Sequence, residues 1–167
     1  MAASQWLDRA TADEARAFLA TCCGSALWVE RMQQRRPFGS DEQLVAVARA
    51  EWFALAPEDW REAFRHHPKI GDRASLRARF PATAALSEHE QRGVSLASDA
   101  TLDALAEGNR EYEQKFGYIF IVCATGKTAE EMLALLRERL SNHPHAELLI
   151  AAEEQAAITK LRLLRAA

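Results

Sequence analysis

The chain has 167 residues, 49% of them apolar, enough for one folded domain with its own core and too apolar for a disordered chain. With 21 basic residues against 24 acidic ones the net charge is −3, which leaves no field to gather nucleic acid. Cys22, Cys23 and Cys123, an odd count with two members adjacent, give no disulfide framework and suit a reducing cytosol.

No secretory signal follows Met1-Ala-Ala-Ser4, and the uncharged run Phe116 to Gly126 is about half the ~20 residues a membrane-spanning helix needs. The expected location is therefore the cytoplasm, with no membrane contact.

Helix-start signals recur along the chain. Thr11 with Glu14, Ser40 with Gln43, Ser87 with Glu90 and Thr128 with Glu131 each have the spacing of a capping box. Phe18, Leu19 and Cys22 continue the first segment up to Gly24, and Leu44, Val47, Ala48, Trp52 and Leu55 keep helical spacing in the second. Pro57 then starts a helix in which Trp60, Phe64 and His67 share one side and His66 points elsewhere. Pro68 disfavours helical geometry before it and Gly71 permits a turn, so this helix stops at about His67.

Arg73 to Pro81 reads as a basic connection. Ser87 opens the next helical stretch, which Gly93 and Ser98 can break and in which Leu102, Leu105, Asn109, Tyr112 and Phe116 recur. Phe116 to Ala124 alone has strand propensity, as one short strand or an extended crossing. Met132, Leu135, Leu136 and Leu140 mark a helix ending near Asn142, and a last one runs from about Pro144 to Leu164. The expectation is an all-α bundle of six to eight helices with irregular crossings, a single domain over 1–167.

Several groups admit two readings. His67 is either a hydrogen-bonded core histidine or a proton-transfer group at the wall of a pocket, and an imidazole titrates near neutrality. Ser87, Glu90 and Gln91 are either a helix cap and a surface residue, or directional partners for an anionic or imide-like ligand at free backbone amides. Arg162 shares a helical face with Ile158 and Gln155, so its planar fork is either a solvated charge or a carboxylate clamp. Gly126-Lys127-Thr128 lacks the earlier glycine of a phosphate loop. His143, His145 and the pair His66-His67 have no cysteine or carboxylate at a recognised ligand spacing, so no metal is predicted. Cys22 and Cys23 match no catalytic-cysteine signature.

Taken in order, His67-Pro-Lys-Ile-Gly-Asp72, Ser87-x-x-Glu90-Gln91, Lys115-Phe-Gly-Tyr-Ile-Phe-Ile-Val-Cys-Ala124 and Leu161-Arg-Leu163 resemble the decarboxylases of 2-oxo-4-hydroxy-4-carboxy-5-ureidoimidazoline (OHCU). Gly24-Ser25 and Trp28 to Phe38 extend the resemblance over most of the chain. It implies an all-helical, cofactor-free homodimer that performs the last step from urate to (S)-allantoin, coupled to urate oxidase and hydroxyisourate hydrolase. By that resemblance His67 is the catalytic acid/base and Glu90 assists proton transfer or holds the substrate. Ser87 and Gln91 bind the polar ring, and Arg162 engages a carboxylate or ureido group. Pro68 and the main chain of Phe120, Ile121, Val122, Cys123 and Ala124 complete the pocket. A noncatalytic helical scaffold and a binder of another ureide are the competing classes.

Overall fold

The computed structural model describes residues 1–68, 73–80 and 98–166. These residues form nine helices and no strand: α1 (Ala3–Arg9), α2 (Ala12–Cys22), α3 (Ala26–Gln34), α4 (Asp41–Phe53), α5 (Pro57–Arg65), α6 (Arg73–Arg79), α7 (Asp99–Phe116), α8 (Ala129–Leu140) and α9 (Pro144–Leu163). The expected all-α class is what forms. The count exceeds six to eight because α1 and α6, at seven residues each, are too short to show a helical period in sequence. None of the described helices is long and apolar enough to cross a membrane.

Local chemistry sets the helix ends. Thr11 accepts from the Glu14 amide while Glu14 returns to the Thr11 amide, and Ser25, Ser40, Ser98 and Thr128 each accept from the backbone three residues on. Ser98, expected as a possible break, is thus the N-cap of α7. Gly117 ends that helix at φ 82°, a left-handed conformation that costs glycine nothing. The expected start at Ser87 lies outside the described residues.

Two compact units result. The first comprises Met1–His67, Ile121–Cys123 and the chain from Leu148 on. Leu7, Leu19, Trp28, Met32, Leu44, Phe64 and Leu163 are fully buried in it. Each such side chain contributes roughly 2 kcal/mol of burial. Three indoles lie in this unit with their N–H groups satisfied by main-chain carbonyls: Trp28 on Ala48 (3.1 Å), Trp52 on Ala152 (2.9 Å) and Trp60 on Trp52 (2.9 Å). The middle bond ties α4 to α9 across a hundred residues of sequence.

The second unit comprises Pro68–Phe120 and Ala124–Glu147. Here α7 packs on α8, with Gly108 so close to Leu136 that an added Cβ would lie 2.5 Å from its Cδ2. The expected basic connection is largely helix α6. It buries Leu76, and Arg73 and Arg77 pair with Asp99 and Asp103 of α7.

The carboxylate of Glu147, fully buried in this unit, accepts from Arg139 (Nη2, 2.6 Å), the Tyr112 hydroxyl (2.5 Å) and Asn142 (3.1 Å). The Arg139 guanidinium also lies 4.6 Å from the centre of the Phe120 ring, onto which Tyr112 packs edge-on. Burial, followed by the bond to Glu147, drives the Tyr112 hydroxyl well above its ordinary pKa, so it stays protonated as the donor.

Candidate active site

The α5 helix carries His67 to its place. Pro57 occupies the first turn, where its missing N–H costs nothing, and Trp60 and Phe64 bury the inner face. The helix ends at Arg65 with His66 as its cap, and the His67 amide still reaches the Phe64 carbonyl at 3.3 Å. His66 is exposed and His67 half-buried, so the two imidazoles diverge as the spacing predicts. Gly24 is required beside this turn, since a Cβ there would lie 2.5 Å from Cβ and Cγ of His66.

Behind His67 stands Gln155 of α9, fully buried, its Oε1 2.5 Å from the imidazole Nε2. The Gln155 amide nitrogen donates to Thr159 Oγ1 one turn along the helix (3.1 Å), and that hydroxyl donates to the Cys22 carbonyl at the end of α2 (3.3 Å). Arg162, half-buried on the same face, donates from Nη1 to the same carbonyl (3.4 Å). It is therefore turned toward protein rather than wholly solvated. From Gln155 to Arg162 is two helical turns, so the imidazole and the guanidinium are served from points about 10 Å apart along one helix.

α9 also holds the crossing expected to line the pocket. Residues 119–124 form neither helix nor strand, which settles the choice left open by their composition. Ile121 and Val122 are buried, and the Cys123 amide donates to Glu154 of α9 at 3.3 Å. His67, Ile121, Val122, Cys123 and Arg162 thus fall in one unit, with His67 and Cys123 bonded to side chains of α9 and Arg162 on α9 itself. Pro68, Phe120 and Ala124 belong to the other unit. Ser87, Glu90 and Gln91 lie outside the described residues.

Cys22 and Cys23 are buried, and burial pushes their thiols up to about 11 and about 12. That makes poor nucleophiles, as the absence of a cysteine signature suggested. His143 and His145 are exposed. Among the described residues no group of three potential ligands converges on a metal position. A groove of about 210 Å³ between α4 and α9 is lined by Val45, Ala48, Arg49, Trp52, Glu153 and Ala157, among others; neither His67 nor Arg162 borders it.

Gln155 and Thr159 are the site residues that the sequence did not announce. The signal was present but faint: both fall on the α9 face of Leu148, Ala151, Ala152 and Leu163, where a polar side chain must find a partner inside the protein.

The fold is all-α, and the chemistry that its site side chains can perform is proton transfer at an imidazole together with anion recognition by a guanidinium. A sequence model described as OHCU decarboxylase matches residues 8–164. Over 152 residues, 86% of this chain, it is 41% identical to the uric acid degradation bifunctional protein TTL of Arabidopsis thaliana. It is 33% identical over 129 residues to the 2-oxo-4-hydroxy-4-carboxy-5-ureidoimidazoline decarboxylase of Amia calva, covering 77% of this chain and 73% of that one. It spans only 44% of the Arabidopsis protein. The crystal structure of an OHCU decarboxylase in the presence of (S)-allantoin superposes with a TM-score of 0.71 at 39% identity, over 87% of this chain and 94% of that one. The chain belongs to the OHCU decarboxylase family.

Proposed function

We propose that this protein decarboxylates OHCU to (S)-allantoin, the last step of urate conversion, without a cofactor. The observation that carries the reading is His67, presented at the end of α5 and held through Nε2 by a buried amide, in a chain matched to this family over residues 8–164. In the reaction, the bond between the ring carbon and its carboxylate breaks. The electron pair moves toward the neighbouring carbon–nitrogen double bond, and the net change takes up one proton for each carbon dioxide released. Because the substrate supplies the electron sink, the protein need only orient the carboxylate, stabilise charge and deliver the proton to one face.

In this reading His67 is the acid/base and Glu90 assists it, while Ser87 and Gln91 bind the polar ring. Arg162 engages the carboxylate or ureido group, its half-buried fork supporting the role. Pro68 and the main chain of Phe120 to Ala124 complete the pocket. Three free thiols favour the cytosol as the working compartment.

A homodimer is favoured by the outward face of α9, where exposed Ile150 and Leu161 flank half-buried Ala157 and exposed Leu164 follows just beyond the helix. Light scattering giving a mass near 18.6 kDa would remove the dimer from this picture. Functional coupling to urate oxidase and hydroxyisourate hydrolase is in keeping with the bifunctional relative, whose name assigns it uric acid degradation.

The test generates OHCU in place from urate with those two enzymes, adds this protein, and follows the circular dichroism of the allantoin formed. Wild-type protein yields the S product, and His67→Ala yields the racemic product of the uncatalysed reaction. Unchanged handedness and rate in folded His67→Ala would remove the imidazole from the mechanism. A scaffold would leave the product racemic in both cases, and a ureide binder would bind without turnover.

A further inference from the structure

The hydrogen bonds behind His67 run in one direction only. Their far end is the Cys22 carbonyl, which can accept but never donate. The Thr159 hydroxyl has a single proton and gives it to that carbonyl at 3.3 Å, so its oxygen must accept from Gln155. The Gln155 amide therefore turns its NH2 toward Thr159 (3.1 Å) and its oxygen toward His67 (2.5 Å). An amide oxygen only accepts, so the facing imidazole nitrogen must be the donor. Gln155 is fully buried and Thr159 nearly so, which keeps water from reversing the order.

We infer that the Cys22 carbonyl, acting through Thr159 and Gln155, fixes the proton of neutral His67 on Nε2, so that Nδ1 is the basic nitrogen of the neutral ring. Gln155 and Thr159 are then positioning residues. They touch no reacting atom, yet they decide which ring nitrogen is basic and hold that ring in one orientation. The inference deepens the proposed function and rests on its assignment of His67 as the acid/base. The tautomer itself can be read without any turnover.

The test is nitrogen-15 NMR of the imidazole side chains in the full chain, with His67→Asn used to assign the His67 signals, at a pH where the ring is neutral. The expected spectrum has a pyrrole-type nitrogen at Nε2 and a pyridine-type nitrogen at Nδ1. Thr159→Val deprives Gln155 of its hydroxyl acceptor, freeing the amide to flip, and should yield a mixture of tautomers although residue 159 does not touch the ring. Gln155→Leu should do the same and lower the rate of (S)-allantoin formation by about 100-fold in kcat, the scale of a misplaced acid/base, with KM within threefold. Gln155→Glu keeps an acceptor oxygen opposite Nε2 and should restore both tautomer and most of the rate, which a loss of packing alone would not do.

A neutral wild-type ring protonated on Nδ1 would overturn the inference, as would a Thr159→Val spectrum identical to wild type. Should His67→Ala retain stereospecific turnover while the NMR shows the Nε2 tautomer, the assignment of His67 as the acid/base fails and the hydrogen-bond chain stands.

Discussion

Replacing Glu147 by leucine removes from a buried guanidinium the carboxylate it grips, and takes the acceptor from the Tyr112 hydroxyl and Asn142 in the same step. Glu147 is 0% exposed and Arg139 only 6%, so solvent screens the pair weakly. Breaking such a pair by deleting one member costs about 3–5 kcal/mol, because the remaining charge stays desolvated. For 167 residues the unfolding entropy is about 350 cal/mol/K, so a loss of about 4 kcal/mol lowers Tm by about 11 °C. The decisive comparison is the double variant Arg139→Met/Glu147→Leu, which removes both charges. Thermal and urea denaturation followed by far-ultraviolet circular dichroism should show it more stable than the sum of the two single losses by at least about 2 kcal/mol. Additivity within about 0.5 kcal/mol would refute the claim that charge coupling dominates this cluster, leaving shape as its contribution.

Two further outcomes follow from the geometry around His67. Gly24→Ala should force the His66 turn outward, costing about 1–3 kcal/mol of stability and lowering (S)-allantoin formation, since a Cβ would sit 2.5 Å from His66 Cβ. Unchanged Tm and unchanged rate would show that the turn yields freely. Cys123, half-buried, should react with a thiol reagent at pH 8 in the folded protein, whereas Cys22 and Cys23 react only once denaturant is added. Burial raises those two thiols, so the folded chain keeps protons that the unfolded chain releases above about 9. Their effect on stability is nil at neutral pH and turns unfavourable as pH climbs from about 9 toward 11 and beyond. Equal labelling of all three cysteines in native conditions would contradict the burial.

What could be read in advance was local. The α5 helix was legible because Trp60, Phe64 and His67 repeat at helical intervals between a proline start and a proline stop, and Thr11, Ser40 and Thr128 announced their helices through spacing alone. The α6 helix was illegible: it has six arginines or small residues around the one apolar residue it buries, and two of its arginines find their partners in aspartates on α7. The same limit applies to the site. His67 and Arg162 stood out as residue types near breakers or on an amphipathic face, but the partner of His67 is 88 positions away. Nothing in a single sequence indicates that a glutamine on the last helix will meet an imidazole at the end of the fifth. Glu147, Arg139 and Tyr112 stand apart in sequence, and only their meeting makes them one buried cluster.

The four tryptophans, at positions 6, 28, 52 and 60, all belong to the unit that carries His67, while both tyrosines, at 112 and 118, belong to the other. The molecule is thus colour-coded by its own chromophores. Indole emission tracks the integrity of the surroundings of His67, and phenol absorbance tracks the cluster around Glu147. A single denaturation run watched at both would reveal whether the two halves melt together or in sequence, with no label attached.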